Sequence, residues 1–232
     1  MVLFVLIVYF ALISTKKAEQ NKVWVGLSKE TAHQLGTPIS SLMAWMDLLE
    51  SSGVDPSLLS DMNKDVNRLS IIAERFSKIG SKPEMELIYV NEVLENATEY
   101  MRRRVSDKVL ITTHLPSDAE GAMVCLSLFE WVIENLCKNA VDAMNGEGRI
   151  DVYMTSEKQQ IYIDIKDTGK GIARKNFKTV FNPGYTTKKR GWGLGLTLAK
   201  RIIEDYHAGR IYVKDSEVGK GTTFRIELKR VV

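Results

Sequence analysis

Asp167-Thr168-Gly169-Lys170-Gly171 follows directly on Ile161-Tyr162-Ile163-Asp164-Ile165-Lys166. The second run alternates apolar and polar residues, the two-residue period of a strand with one buried face. The first places a carboxylate at the strand's end, ahead of two glycines, on a backbone bare enough for a flat ligand to approach. Working outward, further strands are predicted at 109–113, 149–155, 210–213 and 222–228. Helices are predicted at 90–104 with Asn91 as cap, at 127–144, and at about 194–206. Ser127-Leu128-Phe129-Glu130 has the form of a capping box for the second of these, and Asn145-Gly146 would stop it. This alternation predicts a mixed sheet covered on one face by helices, an α/β sandwich.

Three other stretches in this half have a composition suited to the same ligand. Asn135 and Asn139 lie one turn apart on one helix face, with Glu130 and Glu134 nearby; buried amides are costly unless something uses them. Phe181-Asn182-Pro183-Gly184-Tyr185-Thr186-Thr187-Lys188 leads to Gly191-Trp192-Gly193-Leu194-Gly195-Leu196 at a helix start. Glycines there leave free amides at the positive end of the helix dipole, an anion site. Gly219-Lys220-Gly221-Thr222-Thr223-Phe224 precedes the last strand. Each is weak alone: the glycine spacing is not the dinucleotide fingerprint, and no Gly-x4-Gly-Lys-Ser/Thr loop occurs. Their order is the signal.

Upstream the pattern is helical. Val25, Ser28, Ala32, Leu35, Ile39, Leu42, Met46 and Leu49 recur at spacings of three and four, and Gly53 ends the run. Asp55 as N-cap and Pro56 at the first helical position restart it. A second seam then runs through Leu59, Met62, Val66, Leu69, Ala73 and Phe76, widened by Ile72 and Ile79, and Gly80-Ser81-Lys82-Pro83 closes it. Two helices bury two such stripes poorly, so an all-α hairpin that dimerises into a four-helix bundle is expected. Within the first helix, Glu30-Thr31-Ala32-His33-Gln34-Leu35-Gly36-Thr37-Pro38 sets His33 one residue past the seam, facing solvent, with Thr37 one turn on. Pro38 should kink the helix by removing the donor to the Gln34 carbonyl. By itself, an exposed helical histidine is usually a surface residue.

A net charge of +3 over 232 residues, 44% of them hydrophobic and 26% charged, is too mild to suggest nucleic acid. Arg102-Arg103-Arg104 reads as a solvated helix end. Cys125 and Cys137 have neither metal-ligand spacing nor a disulfide framework and read as reduced core thiols, which favours the cytosol for most of the chain. Residues 1–13 are continuously apolar and give way to Lys16 and Lys17. As helix the run covers roughly 20 Å of a roughly 30 Å hydrocarbon core. It has no basic start or small-residue cleavage site. With no polar face, it reads as the inner end of a membrane span with the lysines on the cytoplasmic side; a helix buried against the protein is the alternative.

From about residue 83 to the end, the ordered boxes resemble the Bergerat-type (GHKL) ATP-binding domain shared by sensor histidine kinases, Hsp90 chaperones, type II topoisomerases and mismatch-repair ATPases. The likeness is closest to the histidine kinases. Residues 16–82 resemble their dimerisation and histidine-phosphotransfer hairpin, whose signature is a histidine followed four residues later by threonine, often with proline next. The resemblance implies an anchor at 1–15, the hairpin at 16–82 and a catalytic ATP-binding domain at 83–232. It implies that Asp167 accepts from the adenine amine, with Gly169 and Gly171 letting the base lie close. Asn139 would offer its oxygen to Mg²⁺ while Asn135 supports the phosphates. Phe181 through residue 190 would form the ATP lid, with Thr187 and Lys188 near the terminal phosphates. Gly191, Gly193 and Gly195, with Leu196 following, would present amides to the phosphates, and Thr223 would lie near the adenine. His33 would become a phosphohistidine and pass its phosphoryl group to an aspartate of a response-regulator receiver domain.

One residue departs from the pattern. Many such kinases carry Glu or Asp after the histidine as a base; Gln34 cannot take a proton at neutral pH, although its oxygen can fix the imidazole tautomer. Glu30, one turn back, is a candidate to assist. Thr37 stands where the family orients water to dephosphorylate the partner. A phosphatase or scaffold with weak autokinase activity, or another ATPase of the same fold, is therefore an alternative reading. His114 and His207 are expected to be structural.

Overall fold

The computed structural model describes residues 1–81, 83–188 and 193–231, without the side chains of residues 2–25, 27 and 58. The chain divides into two compact units, Met1–Pro83 and Glu84–Val232.

The first unit is the expected hairpin, α1 (Val2–Ser51) and α2 (Pro56–Gly80). Asp55 caps α2 as anticipated, its side chain accepting from the Ser57 amide at 2.9 Å with Pro56 next in line. The helix runs on through Pro38. Nearby hydroxyls bond back onto carbonyls, Thr37 Oγ1 donating to the His33 oxygen at 3.4 Å and Ser40 Oγ to that of Gly36 at 2.9 Å. The shared core is Ile39, Met46, Val66 and Ala73, with Leu35 packed against it. Gly80 is required by a close approach: a Cβ there would lie 2.8 Å from the Lys29 amide nitrogen. Among the described residues no helix is long and apolar enough to cross a membrane. The side chains of the apolar N-terminal run lie outside those described.

The second unit is the expected α/β sandwich. Strands β2 (Val109–His114), β4 (Gly148–Glu157), β5 (Gln160–Asp167), β6 (Arg210–Glu217) and β7 (Gly221–Lys229) form one sheet in the order β2-β4-β5-β7-β6. Only β2 and β4 pair in parallel. Helices α3 (Val90–Arg102), α4 (Leu126–Ala143) and α5 (Gly195–Arg201) cover the face presented by Ile150, Val152, Ile161, Ile163, Ile165, Ile226 and Leu228, each at most 1% exposed. The other face carries a satisfied polar layer: Asp164 takes the fork of Arg225 at 2.6 and 2.7 Å and the Lys214 ammonium at 2.6 Å.

Several sequence expectations need correcting. A second, two-stranded sheet, β1 (Glu86–Tyr89) with β3 (Gly121–Val124), was not anticipated. Helix α4 starts earlier than the capping-box reading placed it: Cys125 is its N-cap, without a side-chain bond, and Ser127 lies inside the helix. Asn91 is not a cap either. Tyr89 is, and the Asn91 amide instead bridges to the Asp118 carbonyl and the Glu120 amide, both at 3.4 Å. The last predicted helix ends at Arg201 and continues as a π-helical turn over Ile202–Tyr206. His207 closes that turn: Nδ1 donates to the Ile202 carbonyl at 2.7 Å and Nε2 accepts from the Cys125 amide at 2.9 Å. Both histidine nitrogens are thus used by the neutral ring, and burial holds its pKa below the usual histidine range against the pull of those two bonds. His207 is structural, as expected. Cys137 is fully buried, its thiol pushed up to about 12 by burial and by Glu134, which makes it unreactive.

Candidate nucleotide site and phosphoacceptor histidine

Asp167 ends β5 and is 3% exposed. Its Oδ1 accepts from the Gly169 amide at 2.8 Å and the Thr222 amide at 3.3 Å. Both donors serve one oxygen, so among the described residues Oδ2 is left for a ligand. Burial raises the Asp167 pKa above the ordinary value, with the two amide bonds pulling the other way.

The glycines around it have reasons internal to the fold. A Cβ on Gly169 would lie 2.8 Å from the Ala143 backbone at the end of α4. Gly171 has φ +71° and its Cβ would strike the Glu217 carbonyl, and Gly221, at φ +123°, would strike that of Asp167. These contacts fold the ends of β5, β6 and β7 and the C-terminus of α4 around the carboxylate. The threonine that joins them is Thr222, 4% exposed, whose hydroxyl is 2.9 Å from Ser216 Oγ. Thr223, the expected residue, pairs with Lys166 and is turned to the opposite sheet face by the strand's alternation.

Asn135 and Asn139 stand on α4 as predicted, both half-buried. Asn135 packs under the start of α5: a Cβ on Gly195 would lie 2.5 Å from its Oδ1, and its buried Nδ2 has no partner among the described residues. An orphaned buried donor beside a helix start is what a phosphate oxygen would satisfy. Leu194 caps α5 without a side-chain bond, so the first-turn amides from Gly195 and Leu196 onward lack a side-chain acceptor.

The segment expected to be a lid is tied at its base by the Gly184 amide, which donates to the Gly193 carbonyl at 3.2 Å. Gly193, at φ +65°, lies so close to Gly184 that a Cβ would sit 2.5 Å from its carbonyl carbon. Gly191 lies outside the described residues. Phe181, at the start of that segment, is packed into the core: it is 5% exposed, meets Phe224 edge-on at 6.1 Å, and its carbonyl accepts from Thr197 Oγ1 at 3.0 Å. Thr187 Oγ1 accepts from Lys170 Nζ at 2.8 Å. The Lys188 ammonium lies 3.0 Å from Asn139 Oδ1 and 2.5 Å from Asp142 Oδ2, a contact the sequence did not suggest. Among the described residues no three His, Cys, Asp or Glu side chains form a metal cage. A single amide oxygen that already attracts a cation fits magnesium, which keeps most of its own waters.

On the hairpin, His33 is exposed on α1 and lines an open groove of about 610 Å³ with Ala32, Gly36, Thr37, Ser40, Ser41 and Ala44. The small side chains leave that face recessed. Gln34 Nε2 donates to Glu30 Oε1 at 2.6 Å, so the residue after the histidine is engaged with the carboxylate one turn back.

Residues 126–232 match the family model for the histidine kinase-, DNA gyrase B-, and HSP90-like ATPase. Sporulation kinase A of Bacillus subtilis (strain 168) is 26% identical over 220 residues, covering 92% of this chain and 36% of that protein. The chain thus spans little more than a third of that relative's length. ShkA, solved at full length in complex with AMPPNP, superposes with a TM-score of 0.68 at 19% identity over 89% of this chain and 46% of that one. Histidine kinase ThkA, solved in complex with response regulator protein TrrA, gives 0.61 at 19% identity over 96% of this chain and 66% of that one. At such identities the two structures speak for the fold. Over residues 126–232, which include the elements that build the Asp167 and Asn139 site, the C-terminal unit is thus similar in sequence to this ATPase family and in fold to the solved histidine kinases.

Proposed function

We propose that the chain is an ATP-dependent protein-histidine kinase that phosphorylates its own His33 and passes the phosphoryl group to an aspartate of a response-regulator receiver domain. The observation that carries the reading is the Asp167 carboxylate, buried, pinned through one oxygen and, among the described residues, free at the other, in the same fold as the Asn135 donor that has no partner among them.

In this reading Asp167 Oδ2 accepts from the exocyclic amine of adenine, Asn135 Nδ2 donates to the phosphates, and Asn139 Oδ1 holds Mg²⁺. The metal, when bound, neutralises charge on the triphosphate. Gln34 Oε1 accepts from His33 Nδ1–H and so presents the Nε2 lone pair. As the Nε2–phosphorus bond forms, the bond from the γ-phosphorus to the ADP oxygen breaks. The Nδ1 proton then leaves to solvent, because an amide cannot take it. Positioning supplies most of the acceleration.

The reading extends to assembly and place. Leu42, Leu49, Met62, Leu69 and Ile72 lie on the two seams yet remain 37–47% exposed. A second copy would cover them, giving a homodimeric four-helix bundle. The apolar N-terminal run would tether the cytoplasmic units to a cell membrane.

Incubation with γ-labelled ATP should give acid-labile, base-stable label that disappears in His33→Ala; label that survives this change would overturn the assignment. The bond from Gln34 to Glu30 favours one alternative, a phosphatase that uses Thr37 to orient water and has little autokinase activity. Labelling that appears only in Gln34→Glu would select it.

A further inference from the structure

The contact between Lys188 and α4 spans 46 to 49 residues of sequence and joins three groups. Asn139 Oδ1 and Asp142 Oδ2 converge on one ammonium, at 3.0 and 2.5 Å. Two oxygens one turn apart on a helix thus define a single cation-sized seat, and Asn139 is the oxygen assigned above to magnesium. Lys188 and Asp142 are each 40% exposed at the side chain, so the contact is a surface pair that exchange with solvent ions can open. Nearby, Lys170 is engaged with Thr187 and leaves Lys188 as the cation at this seat among the described residues.

We infer that Lys188 is a built-in competitor for the metal: Asp142 positions its ammonium on Asn139, and Mg²⁺·nucleotide must displace it. The inference rests on the reading of Asn139 as the metal ligand. It assigns Asp142, which the sequence did not single out, the role of a positioning residue that acts through Lys188. With Mg²⁺ in the seat the displaced ammonium returns to solvent; without metal it is the cation there that meets the phosphates of a metal-free nucleotide.

The sign of one substitution separates this device from ordinary electrostatics. Removing a cation from an anion site weakens anion binding in general. Lys188→Met should do the opposite for Mg²⁺·ADP, tightening it at least about threefold (roughly 0.7 kcal/mol) in titration calorimetry on the full chain. In chelator, the same variant should bind metal-free ADP more weakly than the unsubstituted chain, because the ammonium is then the counter-ion. Asp142→Asn should tighten Mg²⁺·ADP in the same direction while leaving metal-free ADP unchanged, since its ammonium remains. Unchanged or weaker Mg²⁺·ADP binding in Lys188→Met overturns the competition. An Asp142→Asn chain that tracks the unsubstituted one overturns the positioning role. If the unsubstituted chain binds no magnesium nucleotide at all, the site assignment fails and this inference with it.

Discussion

In the hairpin, Ile39, Met46, Val66 and Ala73 are buried while Leu42, Leu49, Met62, Leu69 and Ile72 on the same two stripes stay 37–47% exposed. In the C-terminal unit, the inward apolar residues of β4, β5 and β7, from Ile150 to Leu228, are all 6% exposed or less. The difference is one of completeness. A five-stranded sheet with three helices on one face closes its own core. A two-helix hairpin has one inner surface and leaves a strip over. Sites follow the same division: Asp167 is held by a buried bond, whereas His33 stands in the open on a recessed face. A group that must meet several partners is better served by exposure, and a ligand acceptor by a fixed frame.

Substitutions should divide along this line. The largest stability effect belongs to the closed core: Ile163→Ala, at a fully buried position in the middle of the sheet, should cost about 2–5 kcal/mol in denaturant unfolding. A loss under about 1 kcal/mol would mean that the sandwich is packed as loosely as the hairpin strip.

Next comes the frame around the ligand. Asp167→Asn should weaken adenine nucleotide binding at least about tenfold, roughly 1.4 kcal/mol. Because burial raises the Asp167 pKa, a proton competes for the acceptor at pH values above the ordinary aspartate range. Affinity in the unsubstituted chain should therefore fall on acidification before a solvated carboxylate would titrate, and the asparagine variant should lose that dependence. A parallel pH profile in both would break the assignment.

Smaller still is the effect of His207, whose folded pKa is depressed below the usual 6.5. The neutral ring is the form the fold prefers, so its contribution is present above pH about 6.5 and lost as pH falls through the depressed value. His207→Gln should flatten the acid limb of a thermal-unfolding series for the C-terminal unit; an unchanged limb would remove the histidine from the account. The least effect on unfolding belongs to the strip. Leu69→Ser with Ile72→Ser should shift the unfolding free energy of the separated chain by less than about 0.5 kcal/mol per site, as at other surface positions. In sedimentation the same variant should run as monomer where the unsubstituted chain runs as dimer. Dimers that persist would place the second copy elsewhere.

Much of this was legible from period and order. The helical seams follow from spacing, and Asp55-Pro56 from cap chemistry. The sandwich follows from the alternation of strands and helices. Errors fell where local and tertiary preferences compete. Ser127 and Glu130 have capping-box spacing, yet the N-cap of α4 falls two residues earlier, at Cys125, which is held by His207 from across the domain. Asn91 suits a cap but serves a loop 27 to 29 residues away. The strands Glu86–Tyr89 and Gly121–Val124 have four residues each, too few for a period. The parity of β7 could have been read: Phe224, Ile226 and Leu228 alternate inward, which places Thr222 beside Asp167 and sends Thr223 out. The contact of Lys188 with Asn139 and Asp142 has no sequence signature, because only the fold brings those residues together.

The central claim is that the exposed histidine is the phosphoacceptor. It is tested most directly by mapping phosphate on the intact chain after incubation with Mg²⁺·ATP, using fragmentation mass spectrometry under alkaline handling. Phosphate is expected on His33, with none on His114 or His207. Phosphate on either of those histidines, or on serine or threonine with His33 unmodified, would contradict it.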